Sequence, residues 1–174
     1  MPTIRASQPL DLPAITAIYR HHVLSGTGTF EIEPPALSEM TSRRQDVLER
    51  NLPWLVAQAD DGTVLGYAYA NWFKPRPAYR FSAEDSVYVA DHVRGQGIGR
   101  LLLDALCQEC EAAGVRKLIA VIGDSHNQGS VNVHRAAGFA HVGTLSNVGW
   151  KFDRWLDVVM MEKSLGTGSS TSPE

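Results

Sequence analysis

The stretch Arg94-Gly95-Gln96-Gly97-Ile98-Gly99-Arg100 lies between a predicted strand and the most regular predicted helix of the chain. Its glycines alternate, and glycine lets a backbone adopt positive φ and approach a ligand closely. The N-terminus of the following helix offers free N–H groups and a partial positive charge, which suit a phosphate. The flanking arginines add two cationic side chains. The stretch is therefore predicted to hold a phosphate group.

The spacing of this glycine loop does not fit the common nucleotide motifs. A dinucleotide-binding fingerprint requires glycine at position 100, where this chain has Arg100, and it usually lies in the first βαβ unit. A Walker loop ends in Gly-Lys-Ser or Gly-Lys-Thr, and this loop does not. A ligand-free turn with surface arginines is the alternative. The coincidence of strand, glycines, arginines and helix favours the phosphate site.

The elements predicted around the loop describe one α/β domain of the α+β kind. Runs of antiparallel strands beside a β-α-β crossover indicate a mixed, mostly antiparallel sheet of about six to seven strands, flanked by about four helices. Asp11 and Ser38 are predicted to cap the first two helices. The strands are predicted at 3–6, 54–59, 64–71, 86–90, 117–122, 140–148 and 155–162, and the later helices at 98–113 and from Asn127 to Gly138.

The helix predicted over 98–113 has an apolar face. Glu109 falls inside that face, and Cys107 is placed toward the polar side. The face consists of Ile98, Leu101, Leu102, Ala105, Leu106 and Cys110.

Composition limits the class of protein. The chain has 174 residues, 44% of them hydrophobic and 20% charged, with a net charge of −3. These values predict one domain over residues 1–165, followed by a disordered polar tail over 166–174. An acidic chain is not expected to bind nucleic acid. Because no apolar run approaches the ~18 residues of a membrane span and no signal peptide is recognisable, a soluble cytoplasmic protein is expected, with no membrane partner.

Cys107 and Cys110 are the only cysteines, and their C-x-x-C spacing could indicate zinc or redox chemistry. A zinc site needs about four ligands, and no second pair exists. A redox pair lies at a helix N-terminus, whereas these two lie well inside a predicted helix. The histidines other than His134 show no metal-ligand spacing. The two cysteines are therefore predicted to be reduced helix residues, with no metal site.

At the glycine loop the sequence resembles the GNAT superfamily of acetyltransferases, whose acetyl-CoA motif is Gln/Arg-x-x-Gly-x-Gly/Ala. Arg94, Gly97 and Gly99 supply this motif, and the likeness runs from Thr3 to about Leu165. Several further stretches are similar to the phosphinothricin and methionine sulfoximine acetyltransferases within that superfamily. These stretches are 53–57, 83–89, 120–122, 134–139 and 151–157.

The resemblance implies that acetyl-CoA is the cosubstrate. The backbone of Val87, Tyr88 and Val89 is then expected to pair with the pantetheine arm like an added strand. Asn127 occupies a cofactor-contacting position before the last helix. Arg94 belongs to the cofactor motif, and the pyrophosphate is expected on the N–H groups of Gly95, Gln96, Gly97, Ile98, Gly99 and Arg100.

Two residues are candidates for acid–base chemistry. Glu84 aligns with the catalytic carboxylate of the family, and a partly buried glutamate can have its pKa raised toward the working pH. His134 occupies the position where many family members have a tyrosine that acts as the acid and protonates the leaving thiolate. Histidine can also donate a proton near neutral pH. A solvated surface glutamate and a packed helix histidine are the alternatives.

The resemblance also indicates where an acceptor would bind. Lys74, Arg76 and Arg80 could hold a substrate carboxylate, although each could equally be a solvated surface charge. Phe30 could form a wall of the pocket or plug the core. Asp85 and Ser86 follow Glu84 and are assigned to the substrate site with it.

The aromatic turn Trp150-Lys151-Phe152 is predicted to serve an interface, and the related enzymes are dimers, so a homodimer is expected. The leading hypothesis is acetyl transfer to the α-amine of a small amino acid or an analogue such as phosphinothricin, methionine sulfoximine or the sulfone. Protein N-termini, lysine or polyamines are alternative acceptors, although a polyamine site would favour clustered carboxylates. A silent acyl-CoA-binding module is the other alternative, which the presence of Glu84 disfavours.

Overall fold

Seven strands form one mixed sheet in the computed structural model, which describes residues 1–174. The strands are β1 (Thr3–Ala6), β2 (Trp54–Gln58), β3 (Val64–Trp72), β4 (Ser82–Val89), β5 (Lys117–Gly123), β6 (Ala140–Lys151) and β7 (Arg154–Ser164). The helices are α1 (Leu12–Ser25), α2 (Leu37–Glu49), α3 (Ile98–Ala112) and α4 (Gln128–Ala136). The strand order is β1-β2-β3-β4-β5-β7-β6. The predicted mixed sheet and its four helices are confirmed.

Only β4 and β5 run parallel, and every other neighbouring pair is antiparallel. The parallel pair needs a crossover connection, which α3 supplies. Tyr67 of β3 stacks on Tyr88, which contacts Tyr19 of α1. The preceding residue, Gly66, faces Leu102 of α3. Because successive strand residues point to opposite faces, α1 and α3 cover opposite sides of the sheet.

The buried face of α3 is rotated about the helix axis relative to the predicted apolar face. Leu103 and Cys107 are buried in the core, whereas Leu101 is 42% exposed. Cys107 therefore does not lie on the polar side as predicted, and Glu109 is exposed and causes no break in the apolar face. Both cysteines are free and buried, and burial raises the pKa of each thiol.

Of the two helix caps predicted from the sequence, Asp11 occupies the N-cap position of α1 without a capping hydrogen bond, and the cap predicted at Ser38 is wrong. The Asp11 carboxylate accepts two hydrogen bonds from Arg5, each 2.8 Å, and one from the Gln8 N–H at 2.7 Å, so it makes no cap bond to α1. Ser38 lies inside α2, because the extended residue Ala36 is the N-cap. The Asp11 carboxylate is bonded to a strand arginine instead of to the first N–H groups of α1, and α2 begins two residues earlier than a cap at Ser38 predicts.

β4 begins at Ser82, four residues before its predicted start at Ser86. The first half of β4 pairs with both neighbouring strands. Glu84, for example, pairs with Asn71 of β3 and with Ile119 of β5. Glu84 and Asp85 are therefore strand residues, with side chains on opposite faces of the sheet.

The last residues, 166–174, form turns without helix or strand, and the disorder predicted for this tail stays a prediction. Glu174 contacts Arg80 at 2.6 Å. Among the helices, none combines the length and the apolar character that a bilayer crossing requires.

Candidate active site

The sheet splits where β4 and β5 stop pairing. Their parallel register runs from Ser82↔Lys117 to Asp85↔Ala120 and goes no further. Beyond that point β4 stays paired with β3 as far as Val89, and β5 stays paired with β7 as far as Gly123. Each strand therefore turns an unpaired edge toward the gap. A cleft of about 1250 Å³ opens there, and the predicted pantetheine-binding residues Val87, Tyr88 and Val89 line it.

The glycine loop forms a cradle at one end of this cleft. Gly95 and Gly97 have φ of 76° and 81°, and a Cβ on either would meet nothing within 4 Å. None of the N–H groups of residues 95–99 donates to a backbone carbonyl, and the first that does is the Arg100 N–H, to Gly97 O at 3.1 Å. These free donors meet the positive end of α3, which is the arrangement that binds phosphate.

Most residues of the loop line the cleft, and their contact with a pyrophosphate stays a prediction. Arg94, Gly95, Gly97, Ile98, Gly99 and Arg100 line it, and Gln96 does not. The two arginines are half-exposed, Arg94 beside Asp91 at 3.2 Å and Arg100 beside Asp104 at 2.6 Å. Their guanidinium groups are held at the rim by neighbouring carboxylates on their own segment.

Asn127 also lines the cleft, at the start of α4. Its side-chain oxygen accepts a hydrogen bond from Ser130 N–H at 3.3 Å and so caps the helix. The amide nitrogen lies against the Gly28 loop. The residue thus sets the position of α4 relative to the cleft, and its contact with a cofactor stays a prediction.

Glu84 lines the cleft on the face of the sheet opposite Asp85. Burial is the largest influence on this carboxyl and raises its pKa; the Asp85 charge raises it further, and Lys74 partly opposes both. A carboxyl with a raised pKa accepts a proton more readily than a solvated one, so its position and pKa suit a general base.

His134 lines the cleft from α4, and both of its ring nitrogens are engaged. Nδ1 lies 2.7 Å from Ser130 O and Nε2 lies 2.8 Å from Asp85 Oδ2. Burial lowers the pKa of His134, but the hydrogen bond and charge of Asp85, aided by Ser130 O, outweigh it and raise the pKa overall. Asp85, assigned to the substrate site from the sequence, is a buried partner of His134 in the structure.

The residues predicted to bind the acceptor fall into two groups. Phe30 and Ser86 line the cleft, whereas Lys74, Arg76 and Arg80 do not. The Phe30 ring packs against Gly123, where a Cβ would come within 2.9 Å of the ring. The Arg80 guanidinium is bonded to Glu174 and to Pro77 O. The roles of all five in acceptor binding stay predictions.

Three sets of contacts around the cleft were missed in the sequence. Lys151 is 3% exposed, and its Nζ donates to Gly26 O and Thr29 O, both at 2.8 Å. It therefore fastens the loop that carries Phe30. In the sequence Lys151 stands between two aromatics in a predicted interface turn, and that apolar setting was the available signal.

The second missed feature is the Asp124 carboxylate at the end of β5. It accepts hydrogen bonds from Thr27 Oγ1 at 2.9 Å and Arg154 Nη2 at 3.0 Å. His22 also contributes unexpectedly, since its Nε2 donates to Val89 O at 2.8 Å and ties α1 to the free end of β4. Burial lowers the pKa of His22. No local pattern in the sequence marks these contacts.

A mixed sheet split after Asp85, a glycine cradle at a helix N-terminus and the partly buried Glu84 carboxylate beside the gap are the features expected of an acetyltransferase. The sequence pattern of the acetyltransferase (GNAT) family matches residues 15–139. The chain belongs to this family and is an N-acetyltransferase. The predicted resemblance is confirmed.

Relatives of known activity indicate which branch of the family is similar. A phosphinothricin N-acetyltransferase from Alcaligenes faecalis is 52% identical over 172 residues, which are 99% of this chain and 87% of that protein. An L-methionine sulfoximine/L-methionine sulfone acetyltransferase from Pseudomonas aeruginosa is 38% identical over 164 residues, 94% of each chain. The crystal structure of a GNAT superfamily phosphinothricin acetyltransferase from Sinorhizobium meliloti, in complex with AcCoA, matches with a TM-score of 0.96 and 43% identity, covering 99% of this chain and 93% of that chain.

Proposed function

We propose that this enzyme transfers an acetyl group from acetyl-CoA directly to the α-amine of a small amino acid or analogue of the phosphinothricin or methionine sulfoximine type, within a ternary complex. The observation that carries the proposal is that one cleft joins the glycine cradle to the Glu84 carboxylate. The likeness to phosphinothricin N-acetyltransferase supports the acceptor class.

The residues of the cleft fit acetyl-CoA from end to end. The free N–H groups of residues 95–99 are suited to its pyrophosphate. The unpaired edge of β4 at Val87–Val89 offers backbone groups to a pantetheine arm, much as an exposed sheet edge accepts a peptide strand. Acetyl-CoA supplies the acetyl group as a thioester, and the split in the sheet is where that thioester would lie.

Glu84 is proposed as the general base. An acceptor ammonium must lose one proton before its nitrogen can attack and a second as the amide forms. The nitrogen–carbon bond forms as the carbon–sulfur bond breaks, and the thiolate finally gains one proton, so one proton is released per turnover. The free N–H groups of the β4 edge are placed to stabilise the oxyanion between these steps, a role that preorganised donors fill well.

Acceptor recognition is assigned to residues around Glu84. Phe30 and Ser86 are among the residues that line the cleft. The Lys74 ammonium, whose charge lowers the pKa of Glu84, is proposed to attract the acceptor carboxylate together with Arg76. Arg80 has no part in the proposal, because its guanidinium is bonded to Glu174.

We also propose that the enzyme is a homodimer formed through the β6–β7 hairpin. β6 is an edge strand and carries a row of exposed apolar side chains, including Trp150 at 54%. An exposed edge with apolar side chains is a typical protein-contact surface. A second copy is the occupant we assign. The other exposed members of the row on β6 are Val142, Leu145 and Val148, and the exposed Phe152 of the turn and Trp155 of β7 lie beside them.

A thiol-release assay with acetyl-CoA tests the activity and the acceptor class. Amino acids, phosphinothricin, methionine sulfoximine and sulfone, polyamines and short peptides form the panel. We expect turnover of the small α-amino acids and their analogues. Turnover of peptides or polyamines alone would overturn the acceptor assignment, and turnover of nothing would overturn the proposed activity.

The variant Glu84→Gln tests the base, with Glu109→Gln on the exposed side of α3 as the matched control. Removal of a general base lowers kcat by about 10²-fold or more. The affinity for acetyl-CoA, measured by calorimetry, is expected to stay unchanged in both variants. A Glu84→Gln enzyme as fast as the control would contradict the assignment.

A further inference from the structure

The Asp85 carboxylate has one hydrogen-bond partner in the protein, the His134 imidazole. Its side chain is 2% exposed, and Oδ2 lies 2.8 Å from His134 Nε2. The other oxygen, Oδ1, is buried without any hydrogen-bond partner. A buried carboxylate is stable only when it is paired or neutral. The imidazole is therefore the group that allows Asp85 to be buried at this point of the sheet.

The protons of the pair can be counted from its contacts. A carbonyl oxygen only accepts hydrogen bonds, so Nδ1 of His134 must donate to Ser130 O, 2.7 Å away. One further proton is needed between Nε2 and Oδ2, because a lone pair and an ionised carboxylate at 2.8 Å repel each other. The pair thus holds one shared proton and has no net charge. The Phe139 ring packs edge-on against the imidazole at 5.1 Å and restricts its movement.

The other titratable groups around the pair leave this count unchanged. Cys107 and Cys110 approach from α3, and burial raises the pKa of both thiols, so they stay neutral. Lys163 of β7 is bonded to Ala137 O at 2.7 Å and lies near Cys107. Glu84 faces the opposite side of the sheet. No second charged group is bonded to Asp85 or to His134.

We propose that Asp85 is a positioning residue that keeps His134 protonated and fixed in the cleft wall, so that the two side chains act as a single proton-holding unit. The proposal rests on the proposed acetyl transfer and adds a residue to it. Glu84 takes a proton from the acceptor on one face of β4, and the imidazolium of the pair gives one to the departing thiolate from the other face. For this transfer one N–H of the ring must first leave its partner, Ser130 O or Asp85 Oδ2. The pair then regains a proton from solvent, which restores the starting state.

The variant Asp85→Asn tests the role of the carboxylate. With Nδ1 still donating to Ser130 O, an amide donor at position 85 would leave the imidazole neutral. A lost carboxylate partner lowers a histidine pKa by about 1–3 units. Because the acid must be protonated, activity is lost as pH rises through this pKa. The alkaline limb of the kcat profile is therefore expected to move down by about one pH unit or more. At the alkaline end this is about a tenfold lower kcat.

The matched control is Asp61→Asn, the same substitution in the exposed turn between β2 and β3. A variant that is merely less stable would lower kcat at every pH without moving the limb. The double variant Asp85→Asn/His134→Gln separates the two cases further. If the residues act as a unit, its kcat equals that of His134→Gln alone, whereas independent roles give the product of the two single losses.

An NMR titration of the imidazole in the ligand-free protein gives a reading that does not depend on turnover. Wild-type His134 is expected to titrate above its ordinary value of about 6.5, and the Asp85→Asn protein below it. Equal values in the two proteins, or a wild-type value below about 6.5, overturn the proposal. An alkaline limb of the kcat profile that lies at the same pH in both proteins also overturns the proposal. If Asp85→Asn does not fold, the wild-type titration alone decides.

The same experiments distinguish this proposal from the proposed function. A wild-type protein that acetylates no amine refutes acetyl transfer to the tested acceptors, while the titration still reports whether Asp85 holds the His134 proton. Conversely, an active enzyme whose His134 has the same pKa with and without the Asp85 carboxylate retains the proposed function and loses the positioning role.

Discussion

Replacing Lys151 by methionine should detach the loop that carries Phe30. The Lys151 Nζ makes two hydrogen bonds, to Gly26 O and Thr29 O, and the side chain is 3% exposed. Methionine has a similar length and fills the channel, but it donates no hydrogen bond. The substitution therefore removes the two contacts with little change in packing volume.

The size of the effect follows from the two carbonyls. A buried polar group left without its partner costs about 1–3 kcal/mol, and hydrogen bonds to a charged group lie at the upper end. The variant no longer buries an ammonium, which offsets part of the loss. A net destabilisation of about 2–4 kcal/mol is expected. For a chain of this size, each kcal/mol lowers Tm by about 2–4 °C, so the drop is about 4–16 °C.

Thermal unfolding followed by circular dichroism measures this drop. Lys117→Met is the matched control, because Lys117 makes one ion pair, to Glu162, with side chains 33% and 44% exposed. Exposed pairs contribute about 0–1 kcal/mol. The KM of Lys151→Met for the acceptor should also rise, since the loop lines the cleft. A Tm drop no larger than that of the control would refute the reasoning.

Three further outcomes are expected. Glu84→Gln should raise Tm at pH 8 while it lowers kcat, because burial disfavours the ionised form of Glu84 and raises its pKa. A lower Tm would contradict an energetic cost of burying this carboxylate. Gly97→Ala should weaken acetyl-CoA binding and cost about 1–2 kcal/mol of stability, since φ is 81° there; binding by calorimetry tests it, with Gly143→Ala as the control. Trp150→Glu should halve the mass seen by sedimentation, and an unchanged mass would exclude this hairpin as the interface.

The features that could be predicted from the sequence are local ones. The glycine loop was recognised because its φ-permissive residues, its arginines and the start of α3 are contiguous. The strand and helix pattern was recognisable because hydrophobic periodicity acts over a few residues. Errors at this level were small, such as the rotation of α3 that buries Leu103 in place of Leu101. That rotation depends on the surface beneath the helix, which periodicity does not describe.

The features that escaped prediction depend on contacts between distant segments. Asp85 and His134 are 49 residues apart, and Lys151 reaches Gly26 across 125 residues. A side chain's partner at such a separation is decided by strand order and register. The assignment of Asp85 to the acceptor site has the same cause. Asp85 is next to Glu84 in the sequence, but neighbouring residues of a strand point to opposite faces of the sheet.

The split in the sheet has a consequence for the lifetime of the protein. A four-stranded ribbon, β1 to β4, joins a three-stranded ribbon, β5 to β7, along a seam of four residue pairs. A ligand that spans the seam by backbone hydrogen bonds adds cohesion to the whole fold. By linkage, a ligand at 100 times its Kd adds about 2.7 kcal/mol of stability. Proteases act on opened chains, so the survival of this enzyme in a cell should follow the supply of its own acetyl donor.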